Sequence, residues 1–194
     1  MLKFLIPAIL ALALSACGST SGSLKYSAKE GNTLRASTTA QPVLLGAFTD
    51  QRDGDKNWLG VIRGGFGNHL KTLTADRPVT EIVRTAFADG LRARGVSIAA
   101  TNANQITGKI ITFNADQMVR REGNAEIELT VRDPQGATRF AKTYTANRLE
   151  GSIVSLSTGV LASVEDLRAV LERTLSDVID KALDDPELRS ALQI

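Results

Sequence analysis

The run Glu126-Ile127-Glu128-Leu129-Thr130-Val131-Arg132 alternates polar and apolar residues without a break. A period of two puts Ile127, Leu129 and Val131 on one face of a strand and leaves the charged residues on the other. Asp133-Pro134-Gln135-Gly136 follows, with proline second and glycine fourth, as a type I turn prefers. Thr138 to about Asn147 then returns as the partner strand, with Phe140 and Tyr144 sharing a face. Upstream, Gln105 to about Arg120 reads as another long strand through Ile106, Ile110, Ile111 and Phe113. A bulge is expected near Asn114-Ala115 and a turn at Arg121 to Asn124. A sheet of this kind is wet on one side and needs a cover on the other.

Two stretches can supply that cover. Val79, Ile82, Val83, Ala86, Phe87 and Leu91 recur at helical spacing after Pro78, while Arg84, Asp89, Arg92 and Arg94 fall mostly on the opposite side. Cations in the last turn and Gly95 after it suit a helix end, so a helix is predicted from about Pro78 to Arg94. The second stripe runs Val164, Leu167, Leu171, Leu175, Val178, Ile179 and Ala182. Ser163 can cap it, with Asp166 in its first turn. Asp184-Asp185-Pro186 breaks the pattern, and Glu187 to Leu192 reads as a terminal turn of helix. The expected fold is α+β: a two-layer sandwich of a largely antiparallel sheet and two main amphipathic helices.

Pro42 to Phe48 is a continuous apolar run, read as a strand buried on both faces or nearly so. Val96 to Ala100 is a short strand candidate. Between them, Asp50 to Arg77 shows no clear period and holds Gly54, Gly60, Gly64, Gly65 and Gly67. A connection this long is uncommon in a compact domain and often functional. It carries Trp58, Arg63, Phe66 and His69, the composition of a recognition surface and the candidate partner-binding residues. The competing reading is that the two rings fold back over an open core edge.

No catalytic constellation is visible. Gly64-Gly65-Phe66-Gly67 fits neither a Walker loop nor a dinucleotide fingerprint. Asp53-x-Asp55-x-Asn57 echoes a calcium loop, but Trp58 stands at its sixth position and Gly64 at its twelfth. His69 is the only histidine and has no ligand-spaced partner. No nucleophile elbow is present. The chain is therefore expected to be no enzyme and to use neither metal nor cofactor.

The N-terminus bears on location. Lys3 precedes the apolar run Phe4 to Leu14, which is too short to span a bilayer but has the pattern of a secretory leader. Leu14-Ser15-Ala16-Cys17 resembles the lipobox of bacterial lipoproteins. That resemblance implies cleavage before Cys17, a diacylglyceryl thioether on its sulfur and acylation of the new amine. Two or more chains anchor stably. No Asp follows the cysteine, which by the same resemblance implies the outer membrane, periplasmic face. The expected organisation is a signal peptide at 1–16, a flexible tether at 17–40 and one α+β domain at 41–194. Cys17 is the only cysteine, so acylation leaves no thiol for a disulfide or nucleophile. Cleavage removes only Lys3 of the charged residues and leaves 22 basic against 21 acidic. That balance gives no support for a nucleic-acid partner.

The lipobox, the Pro42 to Phe48 strand, the glycine-bearing loop and Arg77-Pro78-Val79-Thr80-Glu81-Ile82-Val83 leading to Leu91-Arg92-Ala93-Arg94-Gly95 together look like the YajG-type envelope lipoproteins. That family has no established catalytic residues to carry over. The expectation is a membrane-anchored binding or structural module for an envelope protein or glycan. The alternative is an accessory lipoprotein of outer-membrane lipid, lipopolysaccharide or protein assembly.

Overall fold

The computed structural model describes residues 19–29, 34–151 and 162–194. Cys17 and most of the linking stretch expected at Gly151 to Gly159 lie outside them. The chain runs β1 (Ser19–Gly22), β2 (Val43–Asp50), β3 (Trp58–Arg63), β4 (His69–Ala75), α1 (Val79–Ala93), β5 (Ile98–Ala99), β6 (Gln105–Gln117), β7 (Arg121–Arg132), β8 (Thr138–Glu150), α2 (Val164–Leu183) and α3 (Pro186–Leu192). This is the expected α+β class.

The long antiparallel ribbon β6-β7-β8 is the spine. Gln105 opposes Arg132 at one end, and Gln117 opposes Arg121 at the other. Arg121 in turn opposes Glu150. The strand extends into the expected turn region, so the reversal occupies Met118 to Arg120. The register shift falls between Ile110 and Thr112 and not at Asn114. Parallel pairs place β2 and β3 along β6, β5 along β2 and β1 along β4, while β4 joins β3 antiparallel.

Alternation does what its period demands. Ala125, Ile127, Leu129 and Val131 are buried, while Glu126, Glu128 and Thr130 on the other face are half-buried. On that wet face Lys109 reaches Glu128 (2.8 Å), and Asn147 donates to Asn124 (2.6 Å). The buried face is covered by helices. Leu167, Leu171, Leu175 and Val178 of α2 are fully buried, each stabilising by about 1.5–3 kcal/mol relative to exposure. Glu165 N–H donates to Ser163 Oγ (3.2 Å) and caps the helix start. α1 ends where Gly95 takes φ +84°, a left-handed conformation that glycine adopts without steric cost, and Val96 N–H returns to Leu91 O (3.0 Å).

β2 is buried on one face only: Val43, Leu45 and Phe48 point inward, and Ala47 is exposed. Its apolar run looks continuous because Gly46 and Ala47 are small, not because a second layer covers them. Phe48 lies against Phe87 of α1, ring centroids 5.3 Å apart. Gly108 makes room for it, since a Cβ there would overlap the Phe48 ring.

Three further expectations are corrected. Asp50 to Arg77 is not an irregular loop but contains the β3–β4 hairpin; the reading weighed its glycines above the strand-forming Trp58-Leu59-Gly60-Val61-Ile62. The 17–40 stretch is not a free tether where the structure describes it. Ser19–Gly22 pairs with β4, Leu24 is buried in the core, and Tyr26 Oη donates to Asp180 Oδ1 (2.6 Å). Too few apolar residues stand there to show a period, yet Leu24 and Tyr26 both find partners.

Arg94, expected on the solvent side of α1, is only 1% exposed. Its Nη2 meets Asp184 (2.7 Å) and Asp180 (3.2 Å), and its Nη1 meets Tyr26 Oη (3.2 Å) and Gly90 O (3.1 Å). A buried guanidinium persists only when its donors are met this way. The cluster ties the ends of α1 and α2 to the N-terminal segment. Burial, reinforced by the Asp180 carboxylate, pushes the Tyr26 hydroxyl up to about 12.

Candidate functional site

The hairpin bearing the four singled-out residues rests on an interrupted strand. β2 follows β6 from Leu44 opposite Gln105 to Asp50 opposite Ile110. β3 resumes on the same edge with Gly60 opposite Ala115 and Ile62 opposite Gln117. Arg52 fills the gap. Its Nη1 donates to Phe113 O (3.1 Å) and Trp58 O (2.8 Å), its Nη2 to Lys56 O (2.5 Å), and its Nε to Asp50 Oδ1 (3.0 Å). The side chain thus satisfies carbonyls that a continuous strand would have bonded. Burial works to raise the Asp50 carboxyl, but the Arg52 hydrogen bonds outweigh it and hold it below the usual carboxylate range. The sequence reading missed Arg52; its one signal was an Asp-x-Arg spacing at the end of an apolar run.

The hairpin separates the four residues. Trp58, half-buried, pairs with Thr74 at the base; Arg63 pairs with His69 at the tip. Five residues of strand put these about 17 Å apart. At the tip, Arg63 Nε donates to Asp116 Oδ2 (2.7 Å), and its Nη1 stands 3.0 Å from His69 Nε2. Phe66 caps the turn and is fully exposed. The rings therefore neither converge on a concave surface nor both tuck over the core. A hydrolase would want His69 held by a carboxylate or serine; its ring is held by a guanidinium.

The same end of the sheet carries the β6–β7 turn, where Met118 and Val119 are exposed, and Leu149 of β8, exposed opposite Glu122. The other end is concave. Residues before β2, after β5, in the β7–β8 turn and at the end of α3 enclose a groove of about 540 Å³. Gln41, Thr101, Asn102, Asn104, Gln135, Arg139, Ser190 and Gln193 line it. Asp133 anchors its wall, accepting from Ala137 N (2.9 Å), Gln135 N (3.0 Å) and Arg139 Nε (2.8 Å). Burial opposes that carboxylate's charge, but the Ala137 N–H and the Arg139 guanidinium outweigh it and keep its pKa below the usual range. Asn102 (φ 52°) and Gln193 (φ 61°), the two non-glycine residues with positive φ among the described residues, both line this groove. Such conformations cluster at functional sites. Sequence alone marks Asp133 and Gln135 only as turn residues and none of this set as a site, because they come from four separate parts of the chain.

Among the described residues no three His, Cys, Asp or Glu side chains gather as a metal site would require, and no helix is long and apolar enough to cross a membrane. A family model described as an uncharacterized lipoprotein matches residues 44–193. No curated protein matches the chain. Among solved structures, a DUF330-family protein from Xanthomonas campestris superposes with a TM-score of 0.58 at 13% identity, over 84% of this chain and 91% of that one. PelC from Paraburkholderia phytofirmans, crystallised as a dodecamer, gives 0.42 at 14% identity over 84% and 96%. A minor lipoprotein from Acinetobacter baumannii gives 0.39 at 10% identity over 74% and 91%. The Xanthomonas likeness establishes the fold alone. The family match and the fold agree with the YajG-type resemblance carried by the sequence.

Proposed function

The chain belongs to the uncharacterised lipoprotein family, and from that membership we propose that it is an envelope module anchored through acylated Cys17 on the periplasmic face of the outer membrane. It works by binding and not by catalysis. Its partner is an extended polar chain, either an envelope glycan or a protein segment, received in the groove between Asn102, Gln135 and Gln193.

One observation carries the reading: the groove at this end brings together amides, hydroxyls and the Arg139 guanidinium, and holds two residues in left-handed conformations. Convergent polar groups of this kind fix the orientation of a polar ligand. Trp58 has no part in either surface; Arg63, Phe66 and His69 form a separate contact surface at the opposite end.

Photo-crosslinkers at Thr101 and Gln135 in cells test this. Adducts are expected there and not at Glu126 on the wet face, and Arg139→Ala should weaken them. Absence of any adduct from groove positions would remove the groove from consideration. Mass analysis of the N-terminal peptide tests the anchor: an unmodified Cys17 thiol would overturn it.

A further inference from the structure

Five large apolar side chains are exposed among the described residues: Leu34, Phe66, Met118, Val119 and Leu149. Singly, such residues need no explanation. Four of these five, however, sit at one end of the sheet. Gln117 pairs with Arg121 beside the Met118-Val119 turn, Glu122 pairs with Leu149, and β3, which runs parallel to β6, delivers the Phe66 turn to the same level. Leu34 is elsewhere, two residues from Ala36, whose N–H donates to Arg94 O at the far end of α1.

A second, independent observation concerns where the chain enters. β1 is parallel to β4, and Ser19 opposes Thr72, three residues from His69. The N-terminal segment therefore joins the domain at the Phe66 end and not at the groove end. Cys17 precedes Ser19 by two residues, a reach of at most about 7 Å.

From these two observations we propose that the end bearing Phe66, Met118 and Val119 seats in the lipid bilayer surface beside the anchor. This rests on the acylation of Cys17 proposed above. Acyl chains attached that close to Ser19 hold this end within contact distance of the headgroups. Exposed apolar loop tips at that level enter the boundary between headgroups and acyl chains, as interfacial segments do. Arg120 follows Val119 directly, is exposed and has no hydrogen bond or ion pair among the described residues. It stands free to meet lipid phosphate. The groove then faces away from the membrane, towards the periplasm.

Trp58, the only tryptophan, is a built-in control because it sits at the base of the hairpin. The acylated protein purified from cells would be placed in phosphatidylethanolamine–phosphatidylglycerol vesicles with brominated acyl chains. Native Trp58 should keep its emission. The F66W/W58F variant, and V119W/W58F as an independent second probe, should lose most of theirs and be shielded from aqueous acrylamide. Emission from both probes as strong as that of Trp58 would overturn the proposal. Shielding from acrylamide without quenching by bromolipid would also overturn it, in favour of a second copy or another protein covering the tip. Protein that is not acylated and does not float with vesicles would overturn the anchor reading and this one together; protein that floats with unquenched probes overturns this one alone.

Discussion

The two ends of the sheet are built on different principles. At the groove end, a fully buried arginine gathers Tyr26, Asp180 and Asp184 and locks two helix ends to the N-terminal segment. At the tip end, Arg63 meets Asp116 with both side chains about one-third exposed, and Phe66 touches solvent all round. The groove is polar and braced; the tip is apolar and loosely held. A concave surface must keep its donors in place to discriminate ligands, whereas a tip that presses into a fluid needs only to protrude.

The contrast predicts that stability falls steeply for substitutions in the braced part of the molecule and hardly at all at the tip. Arg94→Ala should break the braced end hardest, by about 3–5 kcal/mol, because it leaves the buried Asp180 and the half-buried Asp184 without their cation; urea unfolding reads this directly. Gly108→Ala, which pushes on the Phe48 ring, should cost about 1–3 kcal/mol by overpacking, seen as a lower melting temperature.

The Asp50–Arg52 pair lies between the two ends and should respond to acid. The Asp50 carboxyl titrates lower folded than unfolded. Its stabilisation is therefore present above the ordinary carboxylate value and is lost as pH falls through the lowered folded one. Asp50→Asn should flatten that part of the acid-unfolding profile; an unchanged profile would show that the pair carries no acid sensitivity.

At the tip, Arg63→Ala should cost less than about 1 kcal/mol, as half-exposed ion pairs do. Phe66→Ser should stay within about 0.5 kcal/mol of the parent, as exposed positions do. A large loss from Phe66→Ser would show that the tip belongs to the folded core and would erase the contrast.

The strands and helices were mostly legible because their signals are local. Alternation from Glu126 to Arg132 and the stripes on α1 and α2 each report a single buried face, and the structure buries those faces. The hairpin was missed because Gly60 and the turn glycines dilute short strands that owe their form to β6 beside them. Of the singled-out residues, Trp58 was grouped with Arg63, Phe66 and His69 by closeness in sequence, which an extended strand converts into distance.

From its residues alone this chain determines which segments are amphipathic, where helices stop and that Leu14-Ser15-Ala16-Cys17 resembles a lipobox. Those properties depend on neighbours a few positions away along the chain. Only the tertiary structure decided that Arg94 turns inward, that Arg52 bridges a broken strand, that four loops enclose a groove and that the N-terminal segment enters beside Phe66. Each of these joins groups far apart in sequence, and the free energy that selects them comes from burial and hydrogen bonding that exist only once the sheet has closed against its helices.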